Sequence, residues 1–132
     1  MTKKYKILLI EDEPDLVELF STSLRQAGFS VETITDGSNA LETVKKIKPD
    51  LVLLDLIIPK KDGYEVLKEI KCDQAVKKTS VYVFSNLTQK SEIARAMKLG
   101  AKDFLIKSDY TPSKLVAKVN EIFCANGDTK NC

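Results

Sequence analysis

The chain has no histidine, no tryptophan and only three cysteines in 132 residues. Without histidine there is no Ser–His or Cys–His catalytic pair, no imidazole metal ligand and no phosphohistidine donor within the chain. Cys72, Cys124 and Cys132 lie far apart without a CxxC spacing. A fully ligated zinc site would need a fourth ligand that no imidazole can supply. An odd thiol count without an export signal is expected of reduced cysteines in a cytoplasmic protein. Long apolar runs are lacking as well. Ile7-Leu8-Leu9-Ile10, near the start, is too short for a signal-peptide core. No segment approaches the roughly 20 apolar residues that cross a bilayer. Nor does charge of one sign dominate: 21 basic residues face 19 acidic ones, for a net charge of +2. That balance argues against a nucleic-acid surface, and Lys60-Lys61 and Lys77-Lys78 read as solvated loop pairs rather than basic patches. There are no repeats, no low-complexity stretches and no interdomain linker.

What remains is a regular alternation of short apolar strands and amphipathic helices. The first strand is Lys6–Ile10. Pro14 opens a helix at its first turn, where proline is tolerated. Val17, Phe20, Leu24 and Ala27 recur at helical spacing, and Gly28 stops it. Residues 30–35 form the second strand and end in the turn Thr35-Asp36-Gly37. A helix beginning at Asp36 or Ser38 carries Ala40, Leu41, Val44 and Ile47 on one face and ends at Pro49. Leu51–Leu54 is apolar at every position, as a strand covered on both faces should be. Pro59 and Gly63 bracket a loop, and Val66, Leu67 and Ile70 mark the third helix. Residues 81–84 form the fourth strand. Ile93, Ala96 and Met97 mark the fourth helix, stopped by Gly100, with Met97 expected in the core. Residues 104–106 form the fifth strand. Thr111-Pro112 then caps a last helix that runs through Leu115, Val119, Ile122 and Phe123. Residues 1–124 are expected to form one domain, and 125–132 a polar, fraying tail. Five β–α units imply an α/β fold, with a parallel sheet and helices on both faces. Strand order 2-1-3-4-5, the flavodoxin-like arrangement, is one common solution.

In such sheets, sites form beyond the carboxyl ends of the strands. Glu11 and Asp12 follow strand 1, Asp55 follows strand 3, Ser85 follows strand 4 and Lys107 follows strand 5. In that order strands 1 and 3 are neighbours about 4.8 Å apart, so three carboxylates share one small space. They repel unless a cation or proton compensates, and a hard divalent ion such as Mg²⁺ with oxygen ligands does so. Lys107 lies two strands from Asp55, about 10 Å across the sheet, and its side chain closes much of that gap. A cation, a hydroxyl and a metal around one carboxylate suit phosphoryl transfer, in which positioning and charge neutralisation do most of the catalysis. Asp55 would be the nucleophile. Taken singly, each residue has a blander role. Asp12 could cap the helix at Pro14, Ser85 could be a turn residue, Lys107 a solvated lysine and Phe104 ordinary core or edge packing. Their coincidence at successive strand ends is what points to chemistry.

These residues resemble those of the response-regulator receiver (CheY-like) domain of bacterial two-component systems. The acidic pair lies in ILLIEDEP and the acceptor in DLVLLDLIIPKKDG. The hydroxyl lies in VYVFSN and the lysine in GAKDFLIKS. The match covers roughly residues 4–124. The resemblance implies that Glu11, Asp12, Asp55 and the backbone carbonyl of Ile57 bind Mg²⁺. Asp55 would accept a phosphoryl group from a histidine kinase or histidine phosphotransfer protein, and Ser85 and Lys107 would contact its oxygens. Ser85 and Phe104 would be the switch residues that alter the face of helix 4, strand 5 and helix 5. The same resemblance implies a cytoplasmic phosphoprotein of phosphorelay signalling, not an enzyme. It would have an unnamed output partner, no direct contact with nucleic acid or membrane, and compatibility with a phosphorylation-dependent dimer. The added charge of about −1.5 to −2 biases a two-state equilibrium.

The chain departs from the family pattern in three places. Ser108, rather than a cis proline, follows Lys107; without proline a cis bond costs about 2.5–4 kcal/mol, so a trans peptide is expected. Asn86, rather than a small residue, follows Ser85, and its bulk narrows access. Ile57 and Leu87, each two residues past Asp55 and Ser85, stand where polar groups are common. Two alternatives compete: a receiver-like interaction module that is never phosphorylated, and an aspartate-nucleophile phosphohydrolase of the haloacid dehalogenase type. The second needs an acid two residues after the nucleophile, where this chain has Ile57. A flavodoxin is disfavoured because no phosphate-cradling loop follows strand 1.

Hydrolysis of an aspartyl phosphate needs a placed water, and two apolar side chains beside it offer that water no hydrogen bond. Slow autodephosphorylation is therefore predicted. Loss of phosphate from Asp55 should be slow in the parent and faster in Ile57→Asn. Fast loss that the substitution leaves unchanged removes the idea.

Overall fold

The computed structural model describes residues 4–125. Five strands, β1 (Lys6–Ile10), β2 (Ser30–Ile34), β3 (Leu51–Leu54), β4 (Ser80–Ser85) and β5 (Asp103–Ile106), alternate with five helices. The helices are α1 (Pro14–Gln26), α2 (Ala40–Ile47), α3 (Gly63–Cys72), α4 (Lys90–Lys98) and α5 (Pro112–Ala125). The strands pair in parallel in the order β2-β1-β3-β4-β5, the flavodoxin-like arrangement anticipated above.

Side chains alternate across each strand, and this sorts the core into two layers. Leu8 and Ile10 of β1, Val52 and Leu54 of β3, and Val81 and Val83 of β4 meet α2, α3 and α4 through Val44, Leu67, Ile70 and Ala96. Ile7 and Leu9, Leu51 and Leu53, and Phe84 face the other way. They pack on α1 and α5 through Phe20, Leu24, Leu115, Val119 and Phe123. The Tyr5 and Phe123 rings stack there at 3.9 Å. The central strands are thus buried on both faces, which is why β3 shows no polar residue.

Local signals set the helix ends. Pro14 occupies the first turn of α1, and Thr111 Oγ1 accepts the Lys114 amide to cap α5. Asp62 accepts the Glu65 amide at the start of α3. The second helix begins at Ala40, later than the Asp36 or Ser38 expected. Asp36 Oδ1 instead accepts both the amide and the hydroxyl of Ser38, a local turn that competes with helix. The helix ends at Ile47, and Lys48 caps it in the left-handed conformation at φ 48°, its amide donating to the Val44 carbonyl, one residue before Pro49.

Met97 is not core as expected but 40% exposed. The buried stripe of α4 narrows to Ala96, and the next residue points about 100° away. Cys72 is a free surface thiol, as expected, whereas Cys124 is disulfide-bonded and corrects the expectation of reduced thiols there. Cys132 and the tail from residue 126 lie outside the described residues. Among the described residues, no helix is long and apolar enough to cross a membrane.

The loop after β3 closes on itself through Gly63, whose amide donates to the Leu56 carbonyl at 2.9 Å. A Cβ there would lie 2.4 Å from Leu56 Cα and 2.6 Å from the Asp55 carbonyl oxygen. Both are main-chain atoms that cannot swing aside. Gly63→Ala should therefore destabilise the domain by about 1–3 kcal/mol, as overpacking does. A urea midpoint equal to that of the parent would contradict this.

Candidate functional site

The carboxyl ends of β1, β3, β4 and β5 share one edge of the sheet, as parallel pairing requires. Just past β1, the Glu11 amide donates to the Ile34 carbonyl at 3.1 Å; just past β3, the Asp55 amide donates to the Ile10 carbonyl at 3.0 Å. These bonds extend the ladder by one rung and fix both acids relative to the sheet. Ser85 is the last residue of β4 rather than the first after it, because the strand runs one residue beyond its predicted end. Lys107 opens a short 3-10 turn, Lys107–Asp109, directly after β5. Glu11, Asp12, Asp55, Ile57, Ser85, Asn86 and Lys107 all line one cleft.

At its centre is a bridged ion pair. The Lys107 ammonium donates to Asp55 Oδ2 at 2.8 Å and also to Glu11 Oε1. Glu11, Asp55 and Lys107 are all buried. The second Glu11 oxygen accepts the Glu13 amide at 3.1 Å, and the second Asp55 oxygen accepts the Ile57 amide at 3.1 Å. Burial pushes the Glu11 carboxyl above its ordinary range, against the hydrogen bond from Lys107 that favours the charged form. Burial also disfavours the Lys107 ammonium, but the hydrogen bonds to Asp55 and Glu11 outweigh it and hold the amine above its usual value. Lys107 is therefore a fixed cation at neutral pH.

Asp12 is exposed, and its carboxylate joins those of Glu11 and Asp55 with ligand oxygens within 4.8 Å of one another. Among the described residues, Lys107 is the one cation paired with this group, so negative charge remains in excess. An all-oxygen set, crowded and open to water on one side, suits a hard divalent cation of the magnesium type. The Ile57 side chain is 62% exposed at the mouth of the cleft, and the contact observed from its backbone is the amide bond to Asp55.

Ser85 Oγ is buried and has no hydrogen-bond partner among the described residues. An unsatisfied buried hydroxyl costs about 1–3 kcal/mol, so its presence beside a charged cleft calls for a ligand. Phe104 lies one strand further out, paired in register with Val83 and half-buried against the α2–α4 layer. Of the residues singled out from the sequence, Glu11, Asp12, Asp55, Ser85 and Lys107 converge, while Phe104 stands beside the cleft, not in it.

The bond from Lys107 to Glu11 and the Ile57 amide on Asp55 were not anticipated, and neither were two further contacts. One is the Glu13 amide on Glu11, which the acid-rich run Glu11-Asp12-Glu13 conceals. The other is a hydrogen bond from the Ser108 amide to Asn86 Oδ1 at 2.8 Å. The peptide between Lys107 and Ser108 is trans, as expected for a non-proline residue, since the described residues include no cis bond.

Comparison with known proteins identifies the family and the fold. The family model described as response regulator receiver domain matches residues 7–120. The DNA-binding response regulator MtrA of Mycolicibacterium smegmatis is 34% identical over 127 residues, covering 96% of this chain and 54% of that protein. The chain thus spans about half the length of the curated relatives it matches. Among solved structures, the phosphorylated cyanobacterial phytochrome response regulator RcpA superposes with a TM-score of 0.79 at 33% identity, covering 91% of each chain. Chemotaxis response regulator CheY4 of Vibrio cholerae superposes with a TM-score of 0.83 at 25% identity, covering 91% of this chain and 99% of that one.

Lys107→Ala would leave Glu11 and Asp55 buried without their cation. A stability loss of about 3 kcal/mol is predicted, the low end for a buried pair stripped of one partner, because the cleft opens to water. Added Mg²⁺ should recover part of it. Urea unfolding with and without the ion measures both; an unchanged midpoint in the variant contradicts the bridge's structural role.

Proposed function

This chain belongs to the response regulator receiver domain family, and from that premise we propose that it is a signalling switch phosphorylated on Asp55. The observation that carries this is the bridge from Lys107 to Asp55 within a crowd of carboxylates, beside a buried hydroxyl that lacks a partner. The phosphoryl donor would be a histidine kinase or a histidine phosphotransfer protein. In the transfer, an Asp55 carboxylate oxygen attacks the donor phosphorus, the bond to the donor breaks, and its electrons leave with the departing group. Glu11, Asp12, Asp55 and the Ile57 carbonyl would hold Mg²⁺. When bound, the ion neutralises charge on the transferring oxygens.

The chain's own groups do the rest. Lys107 is held charged and already lies against Asp55, so it can follow the new phosphoryl oxygens without a proton transfer. Ser85 would donate to one of them and so gain the partner its hydroxyl lacks. That pull on the end of β4 would pass to Phe104, whose strand pairs with β4, and so to the face of α4, β5 and α5. Phe104, Tyr110, Lys114 and Lys118 line a shallow groove there, a suitable place for the output contact. This chain acts as a phosphoacceptor rather than an enzyme, in the cytoplasm and without itself contacting nucleic acid or membrane. The name of the MtrA relative includes DNA binding, but this chain corresponds to only about half of that protein.

Incubation with acetyl phosphate and Mg²⁺, followed by intact mass, tests the proposal. One phosphoryl adduct is expected in the parent, none in Asp55→Asn, and much less in Asp12→Asn or with a chelator. A parent that never gains mass sinks the proposal and leaves a pure interaction module.

A further inference from the structure

The two unusual residues at positions 86 and 108 are bonded to each other. The last cross-strand pair of the β4–β5 ladder is Ser85 with Ile106. Beyond it β5 turns away into the 3-10 turn Lys107–Asp109, closed by the Tyr110 amide on the Lys107 carbonyl at 3.1 Å. At that point a side chain replaces backbone pairing, and Asn86 Oδ1 accepts the Ser108 amide at 2.8 Å. Only the amide oxygen can accept from an N–H, so the orientation of the Asn86 side chain is set by chemistry. The bond joins the residue after Ser85 to the residue after Lys107, and so ties together the two strand ends that carry those groups.

We infer that Asn86 is a positioning residue for Lys107: by holding the Ser108 amide it fixes the Lys107–Ser108 peptide and the direction from which the ammonium enters the cleft. Lys107 has to meet Asp55 and Glu11 at once, from a strand two places away from β3. Such a bridge tolerates little rotation at its root, and a misplacement of about 1 Å at a catalytic group costs on the order of 100-fold in rate. Ser108 has no ring to restrict its backbone, and its peptide with Lys107 is trans. The hydrogen bond supplies the restraint that the covalent structure does not. The inference rests on the proposed phosphoryl transfer for its consequence, but not for the bond or its effect on Lys107.

Nitrogen-15 NMR of the unphosphorylated full chain tests it, reading exchange of the Ser108 amide and persistence of the Lys107 ammonium signal. Asn86→Ala should speed Ser108 amide exchange by about threefold to tenfold, the worth of one partly exposed hydrogen bond. It should also broaden the ammonium signal through faster exchange with water, with the urea midpoint lowered by no more than the worth of that one hydrogen bond. Asn86→Asp retains the accepting oxygen and should restore both signals. A Lys107 signal equally persistent in parent and Asn86→Ala overturns the inference, whatever happens at Ser108. So does a loss that Asn86→Asp fails to reverse. Because no phosphoryl group is involved, these results stand even if Asp55 proves never to be phosphorylated.

Discussion

Everything at the carboxyl edge of the sheet depends on the Lys107 ammonium lying between Glu11 and Asp55. Parallel pairing forces the ends of β1 and β3 together, and with them carboxylates that repel at this spacing. A cation from β5 spans β4 to reach them, so one side chain closes three strands electrostatically. The compensation is incomplete by construction: one ammonium faces three carboxylates, of which Glu11 is already pushed toward its protonated form by burial. A site left with surplus negative charge attracts a further cation. In the proposed transfer to Asp55, the same ammonium would be there to receive the added anionic group.

The core makes this arrangement possible by taking no part in it. Strand β3 and, after Lys6, strand β1 are apolar on both faces, and the two layers of helices bury these residues. Among the described residues, the buried charges Glu11, Asp55 and Lys107 are therefore confined to one rim. Gly63 serves the same geometry from the loop side, since only a residue without Cβ lets the chain fold back onto Leu56 and Asp55. A stable sheet and a frustrated edge are two results of one pattern, in which the buried polar side chains gather just where β1, β3, β4 and β5 stop.

That pattern is why so much was legible. Five short strands separated by helical periods give strand number, parallel pairing and two covered faces, and the ends of four of them carry the candidate site. Asp55, Lys107 and the acidic pair needed no more than this. What escaped reading depends on side-chain geometry that periodicity does not encode. Ser38 captured by Asp36 delays α2 by several residues. Ile93, Ala96 and Met97 look equivalent on a helical face, yet only Ala96 is buried, because α4 touches the sheet along a narrow line. The bond from Ser108 to Asn86 links residues 22 apart in sequence, and only the fold brings them together. Their departures from the family pattern were visible one at a time, but not as a pair.

The uneven grip on the helices decides where a charge change at this edge can be felt. α1 and α5 are locked by aromatic packing, with Tyr5 and Phe29 on Phe123 and Phe20 on Phe84. α4 buries only Ala96 fully. Tyr64 ties it to α3: its hydroxyl donates to the Glu92 carbonyl at 3.0 Å and its ring lies 4.0 Å from the Arg95 guanidinium. A polar tie of this kind contributes less than a buried aromatic cluster and yields to a smaller bias. Ser85 leads from the charged edge into β4, and β4 leads to Phe104 through the Val83 pairing. A pull on Ser85 therefore meets stiff packing on the α1–α5 side and a weakly anchored helix on the other. In the proposed switch, the response belongs to α4 and the adjoining end of β5, because motion there breaks the fewest apolar contacts.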